Sequence, residues 1–356
     1  MRQSPIPMAG EILAFTEGKV GRLRLNRPKA IHALNELMCR AMIDALVAWR
    51  SDPDVELVLL DHAEGRGFCA GGDVRAVAES GKGDGVAARA FFHTEYQLNH
   101  LLFTYAKPLI SFLDGIVMGG GVGIGLPARY RVATERTMFA MPEATIGLFP
   151  DVGGGWYLSR LPGRLGQYLA LTAARLDGAD AKAIGLATHY IPSDALEDMK
   201  AKLIADPRDA AAILDAASIT PPDAPILACR QDIDRLFAAD LLEEILAALE
   251  ADDGEWAQAV LAGLRTKSPQ SCKVALRLLR DGARRTDFAD EMRAEYGLAA
   301  HISMRHDFIE GVRALLVDKD NAPRWDPATP EGVTETMLDT IFSPLPADEA
   351  WQSLRL

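Results

Sequence analysis

Two carboxylates, Glu143 and Asp151, lie in the stretch FAMPEATIGLFPDVGGG (139–155), whose other residues are apolar, glycine or proline apart from one threonine. A carboxylate in such surroundings loses hydration, which costs free energy unless the group is paired or is used chemically. Two carboxylates in one apolar cleft also push their pKa values apart, so that one becomes a better acid and the other a better base. The stretch therefore indicates acid–base or nucleophilic chemistry, while Asp151 as the N-cap of a helix that begins near Gly153 is the alternative interpretation.

Two glycine-rich segments provide a second chemical feature. GFCAGGD (67–73) and MGGGVGIG (118–125) each follow an apolar run of strand length. Glycine lets a ligand approach the backbone N–H closely, so two such turns facing one cavity could donate two hydrogen bonds to one oxygen. A helix that begins at the second turn would add its N-terminal partial positive charge. The two turns together predict an oxyanion hole, whereas each turn alone is typical of an ordinary tight turn.

The elements that must position these groups alternate between strands and helices. Apolar spacing predicts a helix over 34–49, capped by Asn35, and another helix over 86–105. Strands that alternate with helices indicate an α/β fold. The later part of the chain is mostly helical, and the proline cluster ITPPDAP breaks it into separate helices. We therefore predict a catalytic core at 1–205 and a mostly helical C-terminal region at 206–356.

Composition and charge restrict the class of protein. The 356 residues are 49% hydrophobic and 25% charged, with a net charge of −12, which is typical of a globular protein that binds nucleic acid or anionic lipid poorly. The most apolar window, PLISFLDGIVMGGGVGIGL, contains Asp114 and six glycines, which disfavours a membrane helix. Four scattered cysteines, and a start without the features of a signal or transit peptide, predict a reducing compartment and a cytoplasmic protein.

Several motifs, taken in order, resemble one superfamily. NRPKAIHALN, GRGFCAGGDVRAV, GIVMGGGVGIG and FAMPEATIGLFPDVGGGWYLSRLPG resemble the crotonase (enoyl-CoA hydratase/isomerase) superfamily. FFHTEYQLNH, LTAARLDGADAKAIGLATHYIP, SPQSCKVALRLL and HDFIEGVRALLVDKDNAPRWDP resemble its acyl-CoA hydrolase branch, so the resemblance covers nearly the whole chain. It implies an α/β crotonase-type fold of repeated ββα units with a mostly helical C-terminal region.

The resemblance also implies roles for particular residues. Gly72 and Gly120 are expected to donate the N–H groups of the oxyanion hole. Glu143 is expected to be the general base or the nucleophile, and Asp151 to hold a substrate hydroxyl or to assist proton transfer. Glu95 is expected to contact the substrate. The residues expected to contact the CoA moiety are Lys29, Ala30, Ala70 and Gly72.

The implied activity is hydrolysis of an acyl-CoA thioester, with 3-hydroxyisobutyryl-CoA of valine catabolism as the expected substrate. Hydratases of the superfamily carry a second catalytic glutamate at the position of Gly123, so water addition to a double bond is disfavoured. An enoyl-CoA hydratase or isomerase is the alternative enzyme, and a non-catalytic acyl-CoA-binding protein is the alternative without chemistry. We expect no metal, no cofactor beyond the CoA of the substrate, no nucleic acid and no membrane partner; a homo-oligomer is possible.

Two further groups of residues have an ordinary and a functional interpretation. Cys69 lies beside the predicted oxyanion turn and is either a nucleophile or a small buried residue; the absence of a neighbouring histidine in the sequence favours the second. Five basic residues are either surface charges or the local cations that the phosphates of CoA require in an acidic protein. These residues are Arg22, Arg24, Arg27, Lys29 and Arg66.

Overall fold

The computed structural model describes residues 10–355. Residues 1–9 lie outside the described part; they belong to the predicted core and to the start of the sequence from which the cellular location was predicted. The strands of this part are β1 Ile12–Glu17, β2 Val20–Leu25, β3 Leu57–His62, β4 Leu109–Leu113, β5 Ile116–Met118, β6 Tyr130–Ala133, β7 Met138–Ala140, β8 Leu176–Asp177 and β9 His189–Tyr190. Its α-helices up to the predicted boundary are α1 Glu36–Arg50, α2 Val74–Gly81, α3 Val86–Phe103, α4 Gly120–Gly125, α5 Gly154–Leu158, α6 Leu165–Thr172, α7 Gly178–Ala183 and α8 Leu196–Ala205. The later α-helices are α9 Ala210–Ala217, α10 Pro225–Ala228, α11 Arg230–Leu236, α12 Leu242–Glu250, α13 Glu255–Leu264, α14 Pro269–Gly282, α15 Phe288–Ile302, α16 His306–Val312 and α17 Glu335–Ile341.

A six-stranded sheet forms the centre of the fold, with the strand order β1-β2-β3-β4-β6-β9. The hairpin of β1 and β2 is antiparallel, and the remaining pairs are parallel. Parallel strands are covered by helices on both faces, which explains why β4 is buried along its whole length and is apolar except for Ser111. The α/β class predicted from the alternation of strands and helices is confirmed.

A smaller three-stranded sheet, β5-β7-β8, brings the chemical segments together. Because β5 and β7 are parallel, with Met118 opposite Ala140, the turns that follow them leave at the same edge of the sheet. An isolated parallel bridge between Cys69 and Val117 places the first glycine turn beside the other side of β5. The two glycine turns and the segment that contains Glu143 are therefore neighbours.

The predicted helices are present and their ends follow local chemistry. Asn35 caps α1, because its side-chain oxygen accepts a hydrogen bond from the N–H of Met38 at 2.9 Å. The helix predicted over 86–105 is α3, and the proline cluster separates α9 from α10. No helix among residues 10–355 is long and apolar enough to cross a membrane.

The helices of the C-terminal region pack onto helices of the core. α14 contacts α5 and α6, and α15 contacts α3 and α5. One apolar cluster accordingly contains residues from both sides of the predicted boundary at 205/206. The boundary itself stays a prediction.

Candidate functional site

The two glycine turns face each other at close range. A Cβ atom added to Gly120 would lie 3.2 Å from the amide nitrogen of Gly72, which shows how near the two backbones are. Within residues 10–355 neither the N–H of Gly72 nor that of Gly120 donates a hydrogen bond to the protein. Gly120 is the first residue of α4, so its N–H belongs to the group of helix N–H donors without an intrahelical acceptor. Two backbone N–H donors without a protein acceptor therefore lie close together.

Glu143 lies at the start of a 3₁₀ turn, Glu143–Ile146, just after β7. Its Oε1 would be 2.9 Å from a Cβ atom added to Gly119, so the carboxyl group borders the second glycine turn. Its Oε2 is buried and has no hydrogen-bond partner in the described part of the chain. Burial, and then the negative charge of Asp151, raise the pKa of Glu143 well above its usual range. Glu143 is thus a buried carboxyl group with one oxygen that has no hydrogen-bond partner and with a raised pKa.

Asp151 lies in the loop that precedes α5 and is 4% exposed. The hydroxyl of Tyr96 donates a hydrogen bond to its Oδ2 at 2.7 Å. Burial raises the pKa of Asp151 to about 6, although the hydrogen bond from Tyr96 lowers it. The N-cap residue of α5 is Gly153 and has no side-chain cap, so the interpretation of Asp151 as the helix cap is wrong.

Glu95, on α3, is the third buried carboxyl group of the site. Its Oε1 has no hydrogen-bond partner among the described residues, and it would lie 2.6 Å from a Cβ atom added to Gly120. Burial is the largest cause of a pKa well above the usual range, followed by the charges of Asp151 and Glu143. Since three carboxyl groups share one apolar space, they cannot all be charged at neutral pH.

A cavity of about 380 Å³ connects these groups. It is lined by Gly72, Glu95, Gly120, Glu143 and Asp151, so the structure brings together every residue that was predicted to act on the acyl group. Its apolar wall includes residues from α3, from the 3₁₀ turn after β7 and the loop that follows it, and from the segment directly after α16; these are Phe91, Phe92, Ile146, Leu148, Leu315 and Leu316. The site therefore offers polar chemistry at one end of an apolar pocket, as binding sites for small molecules usually do.

The residues predicted to contact the CoA moiety lie partly at this cavity. Ala70 and Gly72 line it, whereas Lys29 and Ala30 lie outside it on a neighbouring 3₁₀ turn. The loop after that turn is tied to the first glycine turn, because the N–H of Ala70 donates to the carbonyl of Ile31 at 2.9 Å. Lys29 is exposed and is close in the chain to a loop that borders the cavity.

Of the five basic residues, Arg22 and Arg24 form ion pairs inside the protein, which favours the interpretation of these two as ordinary charges. Both donate to the carboxylate of Asp61 at 2.9 Å, and Arg22 is buried, so both guanidinium groups are used in ion pairs within the protein. Arg27 binds Asp73 in the same way. The remaining two, Lys29 and Arg66, are exposed and form no ion pair among the described residues.

Sequence reasoning missed two cations that line the cavity. Arg175 is exposed, and Lys267 is partly buried and donates to the hydroxyl of Thr145 at 2.9 Å. Burial lowers the pKa of Lys267. They come from the segments before β8 and α14, and no local pattern in either segment indicates a contact with the site.

Cys69 and Gly123 bear on the alternative chemistries. Cys69 is fully buried and burial raises the pKa of its thiol to about 12, so it is a poor nucleophile. A Cβ atom added to Gly123 would overlap Val152 and would lie 2.9 Å from Nδ2 of Asn99. A glutamate at this position has no space in the present packing. This protein therefore lacks the second carboxylate that hydratases of the superfamily carry here.

Comparison with known proteins identifies relatives of the whole chain. The family described as enoyl-CoA hydratase/isomerase matches residues 20–342. A protein of Danio rerio named 3-hydroxyisobutyryl-CoA hydrolase, mitochondrial, is 42% identical over 94% of this chain and 90% of its own length. A protein of Xenopus laevis with the same name is 43% identical over 94% of this chain and 89% of its own length. The solved structure of a carnitinyl-CoA dehydratase from Mycobacterium thermoresistibile is 43% identical, covers 95% of this chain and 97% of that chain, and has a TM-score of 0.91.

These comparisons confirm the predicted crotonase-type fold and correct one prediction. The TM-score shows that the dehydratase shares the architecture almost throughout. The predicted cytoplasmic location is wrong, because both hydrolase relatives are named as mitochondrial proteins.

Proposed function

Because the chain belongs to the enoyl-CoA hydratase/isomerase family, we propose that it hydrolyses 3-hydroxyisobutyryl-CoA to 3-hydroxyisobutyrate and CoA, a step of valine catabolism. The relatives that carry the name of this hydrolase support the proposal. The observation that carries it is the placement of Glu143 and Asp151 in one cavity, beside the free amides of Gly72 and Gly120.

The two amides form the oxyanion hole in this proposal. The carbonyl oxygen of the thioester accepts hydrogen bonds from the N–H groups of Gly72 and Gly120. These bonds strengthen as the carbon becomes tetrahedral and the oxygen gains negative charge, and each is worth about 3 to 4 kcal/mol by analogy with other oxyanion holes. The partial positive charge at the start of α4 acts in the same direction.

Glu143 activates the nucleophile. Its unpaired, buried carboxylate takes a proton from water, which attacks the carbonyl carbon, or attacks the carbon itself to give a mixed anhydride that water then hydrolyses. In either case the C–S bond breaks, and the CoA thiolate leaves and takes up a proton. Burial destabilises the charged carboxylate of Glu143 and so raises its pKa. This carboxylate therefore takes up a proton more readily than the carboxylate of an exposed glutamate.

Asp151 and Glu95 recognise the acyl group. Tyr96 holds one oxygen of the Asp151 carboxylate, which leaves the other oxygen for the 3-hydroxyl of the substrate. Burial and the two neighbouring carboxyl groups raise the pKa of Glu95, which favours its neutral form, and Glu95 contacts the substrate from the wall of the cavity. The apolar wall excludes water and limits the size of the acyl group.

Local cations offset the acidic charge of the chain when CoA binds. Arg175 and Lys267 at the cavity, together with the exposed Lys29 and Arg66, provide positive charge for the phosphates. The expectations of no metal, no additional cofactor and a possible homo-oligomer stay predictions.

Hydration of an enoyl-CoA is the second candidate, and the high similarity to a solved dehydratase favours it. Gly123 argues against it, because no second carboxylate can occupy that position in the present packing. A non-catalytic binding protein is less consistent with three buried carboxyl groups, since each costs folding free energy that binding alone does not require.

Two assays on the purified protein separate these functions. Free thiol is followed after addition of 3-hydroxyisobutyryl-CoA, and the absorbance of the conjugated double bond is followed after addition of crotonyl-CoA. We expect rapid thiol release from the first thioester and no loss of absorbance with the second. Loss of crotonyl-CoA absorbance without thiol release from either thioester would identify a hydratase, and inactivity with both would favour the binding protein.

A further inference from the structure

The segment that carries Asp151 has an unusual backbone conformation. Val152 has a φ angle of 54° and Gly153 one of 91°. A β-branched residue at positive φ is strained, and such a conformation persists only where surrounding contacts impose it. α4 supplies one contact, because Gly123 packs closely against Val152. The contacts on the following residues come from α15.

Glu295, on α15, supplies those contacts. Its Oε2 accepts a hydrogen bond from the N–H of Gly153 at 2.7 Å, and its Oε1 accepts one from the N–H of Gly155 at 3.0 Å. The side chain is fully buried and does not line the cavity. Both carboxyl oxygens are therefore used on the backbone that immediately follows Asp151, and Glu295 caps α5 from a distant part of the chain.

Burial and hydrogen bonding have opposite effects on the pKa of Glu295. Burial is the largest cause of a pKa well above the usual range, the charges of Glu291 and Asp151 also raise it, and the two backbone N–H groups lower it. Arg285 donates to Oε2 of Glu291 at 2.9 Å, which lowers the pKa of Glu291, although burial has the larger and opposite effect. Both carboxyl oxygens accept a hydrogen bond from a backbone N–H group, so Glu295 holds the segment through these two bonds.

Asp151 is thus held from two helices. Tyr96 on α3 binds its carboxylate directly, and Glu295 on α15 fixes the backbone that follows it. The ring of Tyr96 also contacts the edge of Tyr296, the residue after Glu295, at a centroid distance of 6.5 Å. The position of the carboxylate therefore depends on the packing of α15 against α3.

We propose that Glu295 is a positioning residue for Asp151, which aims the carboxylate at the 3-hydroxyl of the substrate by holding residues 151–155 in their strained conformation. This inference rests on the proposed hydrolysis of a 3-hydroxyacyl thioester. Glu295 does not touch the substrate; it acts through Asp151. A positioning role predicts that loss of Glu295 weakens discrimination for the hydroxyl, which a purely structural role in folding would leave unchanged in the folded enzyme.

The test compares Glu295→Gln with the wild type. Glutamine has almost the same size, but its NH₂ group cannot accept the second backbone hydrogen bond. A displacement of about 1 Å at a reacting group costs about 100-fold in rate, so we expect the ratio of kcat/KM for 3-hydroxyisobutyryl-CoA over isobutyryl-CoA to fall about 10- to 100-fold. Amide hydrogen exchange of Gly153 and Gly155, followed by NMR, should become faster in the same variant.

Glu291→Gln is the matched control, because Glu291 is equally buried on the same helix and also packs against Gly155, but accepts no hydrogen bond from an N–H group of this segment. It should keep the substrate ratio within about threefold of the wild type in the folded fraction. An unchanged ratio in Glu295→Gln, or an equal loss in Glu291→Gln, would overturn the inference. If Glu295→Gln does not fold, Glu295→Asp retains both acceptors but withdraws them by about one C–C bond, or about 1.5 Å, and should give the same loss.

Failure of the proposed function has a different signature. A wild-type protein that releases no thiol from either thioester refutes the hydrolase, and the substrate ratio is then undefined. The exchange rates of Gly153 and Gly155 still decide whether Glu295 holds the segment. Unchanged exchange in Glu295→Gln refutes the inference independently of any activity.

Discussion

Replacement of Gly120 by alanine is the smallest change that blocks the oxyanion hole. The added Cβ atom would lie 3.2 Å from the amide nitrogen of Gly72 and 2.6 Å from Oε1 of Glu95. A carbonyl oxygen bound by the two amides must itself lie about 2.7–3.1 Å from the donors, so the methyl group competes for the same space. Gly120 is the first residue of α4 and has no positive φ, so alanine causes no backbone strain there.

The expected loss follows from the value of one oxyanion contact. Removal of one donor elsewhere lowers kcat by about 10²–10³, or about 3–4 kcal/mol. We expect at least a 10²-fold lower kcat for Gly120→Ala in thiol release from 3-hydroxyisobutyryl-CoA. Gly263→Ala is the matched control, because a Cβ atom in that helix meets nothing within 4 Å; it should keep full activity. A Gly120→Ala enzyme whose kcat stays within tenfold of the wild type would refute this placement of the oxyanion hole.

Three further changes test the acidic groups of the site. The glutamine side chain in Glu143→Gln cannot accept a proton or attack the thioester, so kcat should fall more than tenfold. The Kd for acyl-CoA, measured by calorimetry, should change little. A smaller loss of kcat would contradict the role of Glu143. Burial raises the pKa of Asp151 to about 6, whereas the pKa of an aspartate in an unfolded chain is about 3.9. Between these two pH values the folded state binds more protons than the unfolded state. The free energy of unfolding therefore falls by about 3 kcal/mol as the pH rises through this range. Asp151→Asn should therefore raise Tm at pH 8 much more than at pH 4, and equal changes at both pH values contradict the burial of a charged Asp151. Tyr96→Phe removes the hydrogen bond that lowers the pKa of Asp151, so the acidic limb of the kcat/KM profile should move to higher pH; an unmoved limb shows that Tyr96 does not act on Asp151.

The sequence predicted the features that local chemistry determines. Asn35 could be assigned as a helix cap because its side chain reaches the backbone three residues ahead. The turns that contain Gly72, Gly120 and Glu143 could be placed together because loops after parallel strands leave at the same edge of a sheet, whereas the roles of these three residues were implied by the family resemblance. The hydrolase activity was implied by the ordered motifs, and the names of the relatives support it.

Contacts between distant residues could not be predicted in the same way. Arg22 pairs with Asp61, which lies 39 residues later on the adjacent strand, so its charge is not available for a ligand. Glu295 lies 142 residues beyond Gly153, and its role depends on how α15 packs. The sequence did contain an indication that these glutamates are buried. Glu291 and Glu295 lie on the same face of α15 as Leu298, and an amphipathic helix places apolar residues on that face.

The preference of the wild-type protein for a hydroxylated acyl group tests the central claim most directly. Values of kcat/KM are measured by thiol release for 3-hydroxyisobutyryl-CoA and for isobutyryl-CoA, which lacks only the hydroxyl. A buried carboxylate that binds a hydroxyl can reject the analogue without it by a factor on the order of 10⁴. We expect a preference that approaches this factor and that shrinks in Asp151→Asn. Equal kcat/KM values for the two thioesters in the wild type would contradict hydroxyl recognition by Asp151.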